Sequence, residues 1–262
     1  MITLKNIHVT FSPGTVMERK ALRGISLRIS EGEFVTVIGS NGAGKSTLLN
    51  AIAGESIPTS GSIIIDTDRV TDLPSHKRSK QVARVFQDPL AGTCGDLTIA
   101  ENLALAERRG KSRGLSWALS TKDRDKFKES LETLGLGLEN RLDATMSMLS
   151  GGQRQAVSLL MATLSPLKIL LLDEHTSALD PKTAAFVMQL TQTIVAEKKL
   201  TALMVTHSLQ QALNFGTRTV MLHEGKIIYD VKGEERATLT AQDLLKQFGK
   251  SVDSDELLLQ RG

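Results

Sequence analysis

A single cysteine, Cys94, among 262 residues excludes an internal disulfide and leaves no thiol cluster to hold zinc. A reducing compartment is expected. No stretch approaches the roughly 20 consecutive apolar residues that a helix needs to cross a bilayer. A chain that is 40% hydrophobic and 23% charged reads as globular and soluble. The opening segment, MITLKNIHVTF, has neither the basic start nor the apolar run of a signal peptide, so the chain is expected to stay inside the cell. Strong charge bias is also missing: a formal charge of +3 demands no nucleic-acid partner, and none is expected. There is no internal repeat and no low-complexity segment.

What is present is a series of short apolar runs, FVTVIG (34–39), VARVF (82–86), ILLLD (169–173), ALMVT (202–206) and TVML (219–222). Near-continuous hydrophobicity over such lengths predicts strands buried on both faces, as in a parallel sheet covered by helices. KSTLLNAIAG after the first run is a helical pattern. So is TAAFVMQLTQTIVAEKK after the third, with Ala184, Val187, Met188 and Ile194 on one side. Strand, helix, strand in repetition argues for an α/β fold with right-handed crossovers.

Two stretches depart from that rhythm. Residues 1–33 alternate apolar and polar, predicting exposed antiparallel strands. Residues 88–165 hold mostly helical material, with Phe127, Leu131 and Leu134 on one face of a predicted helix. The basic, Gly/Ser-broken stretch 107–126 reads as a solvated loop.

GSNGAGKST, residues Gly39, Ser40, Asn41, Gly42, Ala43, Gly44, Lys45, Ser46 and Thr47, follows a predicted strand and opens a predicted helix. This is the context in which Gly-x-x-x-x-Gly-Lys-Ser cradles a polyphosphate. Glycines let the backbone close around the phosphates, with amide N–H groups pointing inward at a helix N-terminus. Lys45 is placed to reach the β- and γ-phosphates, and the Ser46 hydroxyl to ligate Mg²⁺. In P-loop proteins a second strand brings a carboxylate to that metal. LLLDEHTSALD (170–180) supplies two in succession, Asp173 and Glu174. Adjacent like charges at the end of an apolar strand require a cation. Asp173 is expected to hold Mg²⁺ through water, leaving Glu174 to orient or deprotonate a water that attacks the γ-phosphate.

LSGGQRQ (149–155), together with the phosphate loop, Asp173–Glu174 and SALD (177–180), resembles the ATPase subunits of ATP-binding cassette transporters. The likeness runs from residue 2 to about 230, with the motifs in the family's order. It implies a P-loop, RecA-like parallel sheet core with an N-terminal antiparallel β subdomain and an inserted helical subdomain at about 88–165. Residues 1–240 would form a single ATPase domain, and 241–262 a short C-terminal helix or tail. Residues 39–47 then resemble the Walker A loop, ILLLDE the Walker B strand with Glu174 as its catalytic glutamate, and Gln87 the glutamine that touches Mg²⁺ and the attacking water. His207 resembles the histidine that contacts the γ-phosphate, and Phe11 the aromatic that stacks on adenine. Ser150, Gly151, Gly152 and Gln153 would face the ATP held by a second subunit, with Asp180 at the same interface.

The resemblance implies ATP and Mg²⁺ as cofactors and a head-to-tail homodimer. It also implies a separate transmembrane permease that would hold the chain at the inner face of the membrane. A solute-binding protein is expected if the system imports, and import of a small solute such as an amino acid is the expected activity. Export, or a DNA-repair or translation ATPase, is the alternative. The latter relatives usually carry two cassettes or a long coiled-coil arm, neither of which is here. A P-loop kinase or GTPase would leave LSGGQ unexplained and would need an Asn-Lys-x-Asp motif that this chain lacks. Two features depart from the family. His175 stands where proline usually follows the glutamate, and a local backbone or packing role is expected for it. The stretch from Gln87 to the signature is long, with the excess in residues 107–126.

Overall fold

The computed structural model describes residues 1–111 and 119–249. The middle of the basic stretch, 112–118, and the expected tail, 250–262, lie outside the described residues. In chain order the elements are β1 (Ile2–Phe11), β2 (Arg19–Ile29), β3 (Phe34–Gly39), α1 (Lys45–Ala53), β4 (Ser60–Ile65), β5 (Asp68–Arg69), α2 (Ser75–Arg78) and β6 (Val82–Val85). There follow α3 (Ile99–Glu107), α4 (Thr121–Glu132), α5 (Gly151–Thr163), β7 (Ile169–Asp173) and α6 (Pro181–Glu197). The chain continues with β8 (Ala202–Val205), α7 (Leu209–Asn214), β9 (Arg218–His223), β10 (Lys226–Lys232), α8 (Gly233–Ala237) and α9 (241–249). The chain divides into two compact units, Met1–Leu73 with Thr201–Gly262, and Pro74–Leu200.

In the first unit, β3 is flanked by β8 and β9, both parallel to it, with Val37 opposite Val205 and Gly39 opposite Leu222. All six residues of β3 are buried, as its unbroken apolar run predicts. β10 adds antiparallel on β9. A second, antiparallel sheet runs β2-β1-β4-β5. Its strands are only half exposed. The alternation seen in the sequence puts Ile2, Leu4, Ile7 and Val9 in the core, facing Leu27, Ile29, Ile63 and Ile65, and leaves the polar partners outside. α9 lays Leu244 into a cluster with Ile38, Ala212 and Met221, so the segment after β10 is part of this core.

The second unit has a parallel pair, β6 and β7, in register from Val82–Ile169 to Val85–Leu172. Between them the described chain holds three α-helices joined by turns and irregular segments, with one isolated bridge, Thr98–Thr145. Each of the three α-helices between β6 and β7 starts in a capping box: Thr98 with Glu101, Ser120 with Asp123, and Ser150 with Gln153. Part of the stretch read as a loop, residues 121–126, is therefore the first half of α4, set by the Ser120 cap. Phe127, Leu131 and Leu134 point into one cluster with Ile99, Leu103, Val157 and Leu160. Each such side chain contributes about 1.5–3 kcal/mol on burial. α6 begins at Asp180 as N-cap with Pro181 in the first turn.

Candidate active site

The phosphate loop lies in the first unit, between buried β3 and α1. A Cβ on Gly39 would stand 2.5 Å from the Leu222 carbonyl oxygen, so no larger residue fits where the strand hands over to the loop. Gly42 and Gly44 have φ of +82° and +102°, a region that L side chains rarely adopt. At Gly44 a Cβ would also meet the Ala21 oxygen at 2.7 Å. Gly44 is the N-cap of α1 and offers no side chain, so the helix opens with no side-chain cap and no acidic residue in its first turn. The first-turn amides and the positive end of the helix dipole favour an anion here. Lys45 is nearly buried, and its ammonium donates to the carbonyls of Gly39 at 2.8 Å and Ser40 at 3.0 Å. The cation is thereby bent back over the cradle, while the Ser46 side chain stays exposed.

Phe11 ends β1 and is 41% exposed, so it is not part of the core. Directly across the ladder stands Arg19, whose guanidinium comes within 3.6 Å of a Cβ built on Gly42. Arg19 had no motif to flag it, and only the β1–β2 register brings it to the loop. His207 follows β8 and is exposed, its position fixed by Thr206, which donates its N–H to the Val37 carbonyl at 3.1 Å.

The second unit carries the carboxylates. Asp173 closes β7, and Glu174 has φ of +46°, a left-handed conformation that is unfavourable for a residue with a side chain. The turn is held by Ser177, whose N–H and hydroxyl both donate to the Glu174 carbonyl at 2.9 Å. Asp173 has a cation already. Arg84 of β6 donates from Nη2 to Oδ2 at 2.5 Å, in a pair only 10% and 14% exposed. The guanidinium carbon of Arg84 also sits 4.8 Å above the Phe86 ring. Sequence reading missed Arg84. An arginine inside an apolar strand was the signal, because a charge there needs a partner within reach.

His175 is buried, and its Nε2 lies 3.0 Å from the Thr191 oxygen. That hydroxyl donates to the Val187 carbonyl at 2.8 Å, so the imidazole is the donor to it and carries its proton on Nε2. Burial pushes the His175 pKa down to about 4, and the ring is neutral at pH 7. It braces the turn after Glu174 against α6, the packing role expected for it.

Ser150 caps α5. Its hydroxyl accepts from the Gln153 N–H at 3.2 Å, and the Gln153 side chain accepts from the Ser150 N–H at 3.1 Å. Ser150 and Gly151 are exposed, whereas Gly152 faces inward, where a Cβ would collide with the Thr183 methyl of α6. Gln155 on the same helix donates to the Phe86 carbonyl at 3.1 Å, tying α5 to the residue before exposed Gln87. Asp180 accepts from the Thr183 N–H at 3.1 Å, and hydrogen bonding by Thr183 lowers its pKa.

Comparison with known proteins gives this arrangement a context. The ABC transporter family model matches residues 22–177. A tyrosine transport ATP-binding protein of Clostridioides difficile is 46% identical over 257 residues, covering 96% of this chain and all of the relative. A thiamine import ATP-binding protein, ThiQ, of Shigella flexneri is 38% identical over 211 residues, covering 80% of this chain and 85% of the relative. A dimeric ATP-binding cassette in a post-hydrolysis state, bound to ADP and Pi, superimposes with a TM-score of 0.76 at 34% identity, over 88% of this chain and 98% of that one. An ATP-binding cassette of an ABC transporter in its ADP conformation gives 0.78 at 26% identity, over 95% and 98%. The chain belongs to the ABC transporter family, as an ATP-hydrolysing subunit.

Proposed function

We propose that this chain powers the import of a small amino-acid-like solute through a separate transmembrane permease, with a solute-binding protein delivering the cargo. The observation that carries the solute class is the 46% identity to a tyrosine transport ATP-binding protein over that relative's whole length. Among the described residues no helix is long and apolar enough to cross a membrane, so the pathway would belong to the partner, and the chain would sit on the permease at the inner face. The second unit has a groove of about 880 Å³ that would suit that partner, lined by Lys80, Phe86, Leu105, Arg108, Lys111 and Met161, with no carboxylate side chain among its described lining residues.

In this reading Phe11 stacks on the adenine and residues 39–47 wrap the phosphates. Ser150, Gly151, Gly152 and Gln153 of a second copy close the site from the other side, with Asp180 beside them. Glu174 accepts a proton from the water whose oxygen attacks the γ-phosphorus in line, as the bond to the bridging oxygen of ADP breaks. Lys45 and the partner's helix N-terminus stabilise the charge that develops, and His207 holds the γ-phosphate. The Ser46 hydroxyl, Asp173 carboxylate and Gln87 amide oxygen are the residues that would hold Mg²⁺. All three donors are oxygens, the hard ligands that Mg²⁺ takes. When bound, Mg²⁺ neutralises the β- and γ-phosphate oxygens.

Uptake into proteoliposomes holding the permease and this subunit, with the solute-binding protein outside, tests the assignment. Labelled tyrosine should accumulate only with ATP inside, and Glu174→Gln should abolish uptake. Accumulation of thiamine in place of an amino acid would overturn the solute class.

A further inference from the structure

We infer that Arg84 is a resident cation that competes with Mg²⁺ for Asp173, and so sets the Mg²⁺ concentration at which the site loads with nucleotide. The inference rests on Asp173 being the metal-facing carboxylate.

The argument is one of charge and contact. Arg84 holds Asp173 Oδ2 at 2.5 Å in a pair that is largely shielded from water. A carboxylate so neutralised attracts a divalent ion less. A second cation brought to it either displaces the guanidinium or bears its repulsion, which is strong where solvent is excluded. The β6–β7 register fixes Arg84 opposite Leu171, two residues before Asp173, so the pairing is set by the strands themselves. The guanidinium also has somewhere to remain when Asp173 turns to the metal, because it already rests over the Phe86 ring at 4.8 Å. Phe86 in turn precedes Gln87, and its carbonyl is held by Gln155 of the signature helix. Arg84 is thus a positioning residue. Whatever loosens its hold on Asp173 raises metal affinity, and metal binding loosens that hold by the same factor.

The test is a Mg²⁺ titration of trinitrophenyl-ATP binding, read by fluorescence, on the full chain as wild type, Arg84→Met and Arg84→Lys. Removing the charge should lower the half-saturating Mg²⁺ about fivefold, the scale of one partly screened charge–charge contact. Arg84→Lys should stay near the wild type. Arg84→Gln carries the same prediction as Arg84→Met should the latter disturb the β6–β7 pair. An unchanged or higher Mg²⁺ requirement in the charge-free variants would overturn the inference, because Arg84 would then be structural or would help build the metal site. Wild-type binding that ignores Mg²⁺ would overturn the metal-site reading itself, before Arg84 is in question.

Discussion

His175 shows how one side chain can take over from a residue of quite different chemistry. Proline after Glu174 would fix φ at that position; here a buried imidazole bonded to Thr191 braces the turn from the side. Its pKa of about 4 lies below the ordinary value of 6.5, so the unfolded chain takes up a proton before the folded one does. Stability from this group is therefore complete above pH 6.5 and is lost as pH falls from there toward 4. Between pH 7 and pH 5 the loss should be about 2 kcal/mol. Thermal melts of wild type and His175→Gln at the two pH values check it, and the variant should lose less on acidification. Gly44 makes a sharper case. Alanine there would need an unfavourable φ and would press on the Ala21 oxygen, so Gly44→Ala should cost more than about 2 kcal/mol and abolish trinitrophenyl-ATP binding. The Gly, Lys and Ser of the loop were legible in the sequence because their chemistry is local. Arg84 and Arg19 were not, because each acts across a ladder whose register the sequence does not spell out.

At the scale of elements, the buried strands were readable from their unbroken apolar runs, and α6 from its stripe. The hairpin strands β4 and β10 escaped notice, since SGSIII and KIIYDVK are short and only partly buried. Thr191 escaped too: a polar residue in an apolar stripe reads as an interruption, yet it is the partner of His175. The start of α5 has two roles that substitution can separate. Ser150→Ala removes the cap and should cost about 1 kcal/mol of stability. Ser150→Asp keeps a capping oxygen and should melt close to the wild type. Its negative charge would oppose the phosphate proposed to face it, so ATP-driven association should be lost. Sedimentation velocity beside thermal melts distinguishes the two. If Ser150→Asp associates as the wild type does, Ser150 is a cap and nothing more.

For the whole molecule, the proposed catalytic set is divided along the chain: the phosphate loop, Phe11 and His207 in one unit, Gln87, Asp173, Glu174 and the signature in the other. The cationic lining of the groove in the second unit also belongs to this scale. Lys80→Glu should weaken co-purification with the permease while leaving trinitrophenyl-ATP affinity of the isolated subunit within about twofold, an effect of charge at the proposed permease contact. The proposed sandwich of two chains comes from the family resemblance of LSGGQ and SALD. No local pattern could have supplied it, because a residue that faces a second copy makes its contact outside its own chain. The most direct test is sizing chromatography of Glu174→Gln with and without ATP and Mg²⁺. The account predicts a dimer that forms only with ATP, persists because hydrolysis is blocked, and disappears in Glu174→Gln/Ser150→Arg. A Glu174→Gln chain that binds ATP yet stays monomeric at every concentration, or a dimer indifferent to Ser150→Arg, would contradict it.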